Sequence, residues 1–328
     1  MNSSSINNQN ILKKYPELID IILSDHSSKK TLIWGTNNYY NDEDGYKETD
    51  NILPNLLGNN FNLIKPRISK SQREQKKRSK DMAEVFTPSW MCNKQNNLVD
   101  DAWFGRSNVF NIENNDNTWT VTKKVNFKDK SWQDYVELER LEITCGEAPY
   151  LVSRYDTTTG EYIEVQNRIG LLDRKLRVIN ENVDDKNEWL KWVTIAYKRI
   201  YGYDYQGDNV ILARENLIFD FIENYLYKFN EEPTIEEIID ISQVASWNIF
   251  QMDGLKYVIP LSCKKIKKST KQLSLFDDVG EDDAQDEIEC PGCSNGDNNK
   301  HSGIYVLIKD WKTNKTIKFI DLVNGGIL

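Results

Sequence analysis

The stretch Leu141-Glu142-Ile143-Thr144-Cys145-Gly146-Glu147-Ala148-Pro149-Tyr150-Leu151 constrains this chain more than any other. It reads as a strand ending in an acid, a tight glycine-containing turn, and a helix behind. Such a junction presents backbone N–H groups and one carboxylate at the edge of a sheet, where α/β sheets take small ligands. Two more acids stand in comparable places: Asp204, after Tyr201-Gly202-Tyr203, and Asp253, after Asn248-Ile249-Phe250-Gln251-Met252. Between them, residues 208–229 carry Val210, Leu217, Ile218, Phe221, Ile222, Tyr225 and Phe229 on one broad helical face, with Asp208 as the candidate N-cap. A second helix begins at Thr234, which forms a capping box with Glu237 and feeds a strand at 246–251. This alternation predicts Glu142, Asp204 and Asp253 along one edge of a parallel sheet.

Phe86-Thr87-Pro88, the 142–151 element, Asp204 and Asp253, in that order, resemble the S-adenosylmethionine-binding half of N6-adenine DNA methyltransferases, of the kind found in restriction–modification systems. The resemblance covers residues 80–260. Phe86, Thr87 and Pro88 match the family's F-x-T-P element. Glu142, Thr144, Cys145, Gly146, Tyr150 and Leu151 match its [DE]-P-x-C-G-x-G-x-[FY]-L element, with Ile143 in place of Pro and Ala148 in place of Gly. The resemblance implies an α/β, Rossmann-like class I methyltransferase fold with insertions, incomplete toward its C-terminal end. It implies that Glu142 orders the turn and reaches the methionine ammonium, that Asp204 grips the ribose, and that Asp253 reads the adenine amino group.

The family's later [DNS]-P-P-[YFW] loop, which holds the target amino group and stacks on the flipped base, has no counterpart after Asp253. Residues 304–311 offer one substitute, a strand ending in Asp310 and Trp311. The competing interpretation pairs this strand with 316–322 across a Lys-Thr-Asn-Lys turn, as a β-hairpin. The short remainder of the chain suggests that a partner supplies a missing half.

The net charge of −9 excludes a uniformly basic nucleic-acid binder. The average hides a basic stripe at 65–80, which includes Arg73, Lys76, Lys77 and Arg78, and an acidic run at 277–289. The stripe is either a solvated helix or a phosphate-binding surface. The run from Glu142 to Asp204 is longer than one crossover helix needs, which leaves room for an insertion at 155–185. There Arg174 and Lys175 belong to a second basic patch, read as a β-hairpin or as another phosphate- or partner-contacting surface.

Apolar residues make up 39% of the chain, enough for a substantial core. No run reaches the ~18 apolar residues of a membrane span, and no signal-peptide pattern opens the chain. Five unevenly spaced cysteines do not form a disulfide framework, which suggests a reducing cytoplasm. Cys290-Pro291-Gly292-Cys293 is a knuckle of zinc-binding type, with His301 and Cys263 as further ligands; the alternative is a loop with incidental cysteines. Four protein ligands would make that zinc structural.

The sequence divides into an N-terminal α/β segment with a basic helix (1–80), a methyltransferase-like cofactor-binding domain (81–262), and an acidic loop with the knuckle and a C-terminal hairpin (263–328). Two functions are consistent with this division. One is an S-adenosylmethionine-dependent DNA adenine methyltransferase of a defence system, acting with an unusual catalytic loop or a partner subunit. The other is a catalytically inactive module of the same fold that binds nucleic acid or a partner protein, such as a nuclease, and regulates it.

Overall fold

A computed structural model describes residues 11–40, 46–60, 62–82, 84–267 and 287–325. Residues 1–10, and 277–286 of the acidic run, lie outside the described residues. The fold is mixed α/β. Its main elements are α1 (Gln72–Met82), α2 (Ser89–Phe104), β1 (Arg140–Glu142), α3 (Leu171–Asn182), α4 (Lys186–Tyr197), β2 (Ile200–Asp204), α5 (Gly207–Phe229), α6 (Ile235–Asn248), β3 (Ile249–Gln251), β4 (Leu307–Asp310) and β5 (Lys315–Lys318).

Strands β1, β2 and β3 form a parallel sheet with β2 in the middle. Glu142 pairs with Gly202 and Asp204 with Gln251, so the strand ends fall on a common edge. Side chains alternate between two apolar clusters. Ile200 and Ile249 join the main core with α3 to α6. Tyr203 and Phe250 face the other way, onto Ile259, Val306, Ile308 and Phe319 of the C-terminal segment. A sheet covered on both faces needs this two-sided apolar character.

Helix α5 is buried on nearly all sides, between α6 and α3 and against the sheet. Its polar side chains therefore need internal partners. Arg214 donates to four backbone carbonyls, those of Ile22, Ser24, Ser246 and Ile249, at 2.5 to 2.9 Å. It thereby fixes the N-terminal segment to the junction of α6 and β3. The capping box of α6 forms as expected: Glu237 N donates to Thr234 Oγ1, and Thr234 N donates to Glu237 Oε2. The helix runs on to Asn248 and leaves only 249–251 as strand, so the expected strand at 246–251 is shorter. Ser246 turns its hydroxyl back to Gln243 O, and Asn248 donates to Tyr197 O, which holds that last turn helical.

The insertion departs from the hairpin expectation. Only an isolated bridge, Tyr155 to Tyr162, is β-like, and residues 171–182 are the helix α3. Leu172, Leu176, Ile179 and Val183 recur at helical spacing and are all buried, which explains why a helix wins there. The C-terminal hairpin forms as β4 and β5, but residues 319–325 are helical instead of continuing the strand. No described helix is long and apolar enough to cross a membrane.

The N-terminal segment docks on α6 through His26, which stacks on Trp247 at 3.8 Å and lies 2.9 Å from Ser246 Oγ. Burial, and then the nearby Arg214 charge, pull its pKa down to about 4. The folded value lies below the unfolded one, so the contribution is present above about pH 6.5 and is lost as pH falls through about 4. In urea unfolding at pH 7 and pH 4.5, His26→Gln should lose less stability on acidification than the wild type; equal losses in the two proteins would refute the assignment.

Candidate functional site

The carboxyl edge of the sheet is built around the turn after β1. Thr144, Gly146 and Ala148 have φ of +47°, +54° and +62°, so every second residue is left-handed. A chain curled in this way turns successive N–H groups toward one side. Glycine adopts that conformation freely, whereas for Thr144 and Ala148 it costs about 1–2 kcal/mol each.

Two carboxylates hold the curl. Glu142 accepts from the N–H groups of Tyr150 and Leu151, at 3.4 and 3.2 Å. Asp204 accepts from Gly146 N at 2.9 Å, Gln206 N at 2.9 Å and Asn209 Nδ2 at 3.3 Å. An ionised carboxylate has about four acceptor sites, so Asp204 keeps roughly one in reserve. Burial raises the Glu142 pKa well above the carboxylate range, against the pull of its two N–H donors, with the Asp204 charge adding to the rise. Burial likewise brings Asp204 up to about 6.

Phe86 arrives at the same turn from far upstream. A Cβ added at Gly146 would lie 3.9 Å from its ring, and the Arg67 guanidinium sits 4.8 Å from the ring centroid on a separate approach. Thr87 offers its carbonyl to Thr157 Oγ1 at 3.1 Å, and Pro88 is the N-cap residue of α2. Cys145 is buried beside Gly202, and its N–H donates to Tyr203 O. The structure thus brings Phe86, Glu142, Thr144, Cys145, Gly146 and Asp204 together.

Asp253 stands further along the edge, where its carboxylate accepts from Leu255 N at 3.0 Å. It lines a cavity of about 370 Å³ together with Tyr205, Lys256 and Lys264. Sequence reasoning missed Tyr205 and the lysines. The position of Tyr205 directly after the strand-ending acid was the available signal.

Cys263, Cys290 and Cys293 border the same cavity. With His301 they form a cluster whose four ligand atoms lie within 4.8 Å of one another, an arrangement able to hold a metal ion and compatible with zinc. His301 Nδ1 is 3.7, 3.6 and 3.6 Å from the sulfurs of Cys263, Cys290 and Cys293. A tetrahedral zinc with bonds of about 2.3 Å to sulfur and about 2.0–2.1 Å to nitrogen sets S–N separations of about 3.5–3.6 Å. The other imidazole nitrogen, Nε2, lies 3.4 Å from Asn298 Oδ1, a partner that leaves Nδ1 for the metal. Cys290 Sγ accepts from Ser302 N at 3.1 Å. Burial works against its thiolate, but the hydrogen bonds from Ser302 and from the Cys293 backbone outweigh it and bring the pKa down to about 5. Gly292 is required for contact: a Cβ there would meet His301 N and Nδ1 at 2.6 Å.

The charged candidates divide by burial. Arg73, Lys76 and Lys77 are exposed on α1. Arg78 is not: it is buried between Glu84 at 2.5 Å and Asp208 at 2.7 Å. Burial works to raise the Asp208 pKa, but Lys70 and Arg78 hold it below the usual range. Arg174 and Lys175 are also internal. Arg174 pairs with Asp100 at 2.6 Å and bonds Asn93 and Asn97. Lys175 donates to the carbonyls of Val136 and Leu138. These three cations therefore satisfy the fold and face no phosphate.

Asp310 and Trp311 lie at the opposite end of the sheet. Asp310 accepts from the N–H groups of Lys312 and Thr313 within its own turn. Trp311 donates to Asn248 Oδ1, just before β3 begins. The adjacent Lys309 carbonyl accepts from Tyr201, near the start of β2. Neither residue reaches the edge that carries Asp204 and Asp253.

No family model matches this sequence, and no curated protein or solved structure matches it.

The burial difference between neighbouring cations is testable. Arg78→Ala leaves Asp208 and Glu84 short of a buried partner and should cost about 3–5 kcal/mol in chemical denaturation. Lys77→Ala should change stability by no more than about 0.5 kcal/mol. Similar small effects at both positions would contradict the internal role of Arg78.

Proposed function

We propose that this chain is an S-adenosylmethionine-binding protein of the DNA adenine-N6 methyltransferase type, from a restriction–modification or related phage-defence system. The observation that carries the reading is the approach of Phe86 to Gly146 at the carboxyl edge of a parallel sheet. Two separate sequence elements thereby meet at the edge where such sheets bind ligands. The reading extends the observed α/β sheet to a Rossmann-like class I methyltransferase fold with insertions.

The chemistry of the edge fits the cofactor. Glu142 and Asp204 are desolvated carboxyl groups, and a cofactor carrying a sulfonium and an ammonium stabilises their charged forms. Glu142 holds the turn toward the ammonium, the remaining acceptor capacity of Asp204 takes a ribose hydroxyl, and Asp253 accepts from the adenine amino group. When bound, the cofactor supplies an electrophilic methyl group. The target amino group must be held in line with it by acceptors that this sequence lacks in the usual loop. A partner subunit supplies them in this reading, and the exposed Arg73, Lys76 and Lys77 face DNA phosphates.

One observation favours a second reading, a catalytically inactive module of the same fold that regulates a nuclease or another defence partner. The substitute at hand for the catalytic loop, Asp310 with Trp311, is committed to the hairpin turn and to Asn248. Cofactor binding is common to both readings, and methyl transfer separates them.

In calorimetry, the purified chain should bind S-adenosylmethionine saturably, and Asp253→Asn should weaken binding about tenfold or more, as expected for a lost charge-assisted hydrogen bond. Absence of binding at millimolar cofactor would sink the reading. We also assign the cysteine–histidine cluster as a structural zinc site. Elemental analysis should find one zinc per chain, and Gly292→Ala should lower zinc affinity by about tenfold or more because His301 is displaced. A chain that takes up no zinc on reconstitution would overturn that assignment.

A further inference from the structure

We infer that the metal cluster is a wall of the ligand cavity at the sheet edge, so that metal binding controls occupancy of that cavity by a purine nucleoside. The inference rests on the cofactor reading above. It begins from a juxtaposition: Cys263, Cys290 and Cys293 line the same 370 Å³ space as Tyr205 and Asp253. Tyr205 and Asp253 belong to the carboxyl ends of β2 and β3, whereas the cysteines come from segments after the sheet is complete. The cavity therefore exists only while the two parts are held face to face.

The volume falls within the range of about 300–1,000 Å³ typical of small-ligand sites. Its chemistry suits a purine nucleoside. Tyr205 is half-buried and offers an aromatic surface, and Asp253 offers a carboxylate to an exocyclic amine. Lys264 and Lys265 give the rim hydrogen-bond donors for hydroxyl oxygens, and Lys256 Nζ lies 3.6 Å from Asp253 Oδ2.

Protein contacts tie the wall to the 258–262 segment: Ile259 N donates to Ile304 O, Val258 bridges to Tyr305, and Ile304 N donates to Ser262 Oγ. Cys263 stands beside Lys264, whose N–H donates to Ser302 Oγ and whose carbonyl accepts from it. The strands Ile266–Lys267 and Glu287–Ile288 pair over two residues each. Three cysteine side chains and an imidazole converge on one point, an arrangement that a cation joins into a single body and that relaxes without it. The side of the cavity formed by Asp253 is supported differently, through the sheet and the bridge from Asp253 to Val258. Loss of metal thus loosens the cysteine wall, which keeps only its ties to the 258–262 segment and to Ser302, and leaves the Asp253 wall in place.

The test compares zinc-loaded full-length chain, the same chain stripped by a chelator, and Cys293→Ser, each titrated with S-adenosylmethionine by calorimetry and checked by circular dichroism. The expected result is saturable binding to the zinc form, a dissociation constant at least tenfold higher in the other two, and recovery when zinc is restored to the stripped chain. Equal affinity with and without metal overturns the inference and leaves the cofactor reading standing. No binding to the zinc form overturns the cofactor reading and the inference with it. If the stripped chain and Cys293→Ser lose their helical signal, the cobalt-substituted protein decides. Ligand-field bands that shift on saturation with S-adenosylmethionine support the shared wall, and unchanged bands overturn it.

Discussion

A helix enclosed on nearly all sides cannot leave a polar side chain unpaired, and α5 is such a helix with polar residues along its length. Its first turn places Asp208 against Arg78, which brings the basic helix α1 to the sheet. Its middle places Arg214 among four carbonyls, which fixes the N-terminal segment. Its second half places Asp220 against Arg168, and Glu223 against both Arg154 and Arg168, which anchors the insertion. Each of these contacts joins parts of the chain that are distant in sequence. A buried ion pair gives little net stabilisation over apolar packing, but removing one partner leaves a desolvated charge that costs several kcal/mol. The polar residues of α5 thus specify which segments surround it.

The same logic reaches the sheet edge. Glu147, inside the turn after β1, accepts from Tyr155 OH at 2.6 Å and from Arg67 N at 2.6 Å, and its carbonyl accepts from Asn216 of α5. The strained curl at 144–148 is therefore held by Glu142 and Asp204 on one side and by the α5 network on the other. The N–H groups of the curl have internal acceptors, Gly146 on Asp204 and Tyr150 and Leu151 on Glu142, so the edge keeps its shape without a ligand. The insertion helps to support that edge through Tyr155.

Much of this was legible locally. The acid-terminated strands, the crossover helix after Asp204, the capping box at Thr234 and the hairpin near the C-terminus all follow from period, turn chemistry and length. The Cys-Pro-Gly-Cys knuckle was legible because ligand type and spacing are themselves the signal. The helix at 171–182 is also present in the spacing of Leu172, Leu176, Ile179 and Val183, but the charged residues between them are equally compatible with a hairpin or a contacting surface. The assignment of Arg78, Arg174 and Lys175 to phosphate contacts failed for a different reason. Burial of a cation depends on partners such as Asp208, Asp100 and the Val136 carbonyl, and nothing in the local sequence announces them. Asp310 and Trp311 lie away from the edge that carries Asp204 and Asp253, because a strand ending in an acid does not say which end of the sheet it will reach.

By itself the sequence determined the acid-ended strands of the sheet, the helices that follow Asp204 and Thr234, and the four residues able to ligate a metal. These are properties of near neighbours in the chain, fixed by backbone period and by ligand chemistry. Only the tertiary structure decided which cations are internal, that Phe86 meets Gly146, and that the cysteine cluster borders the cavity beside Asp253. Those facts depend on packing between distant segments, because desolvation and the pairing it demands arise only once the chain has closed around them.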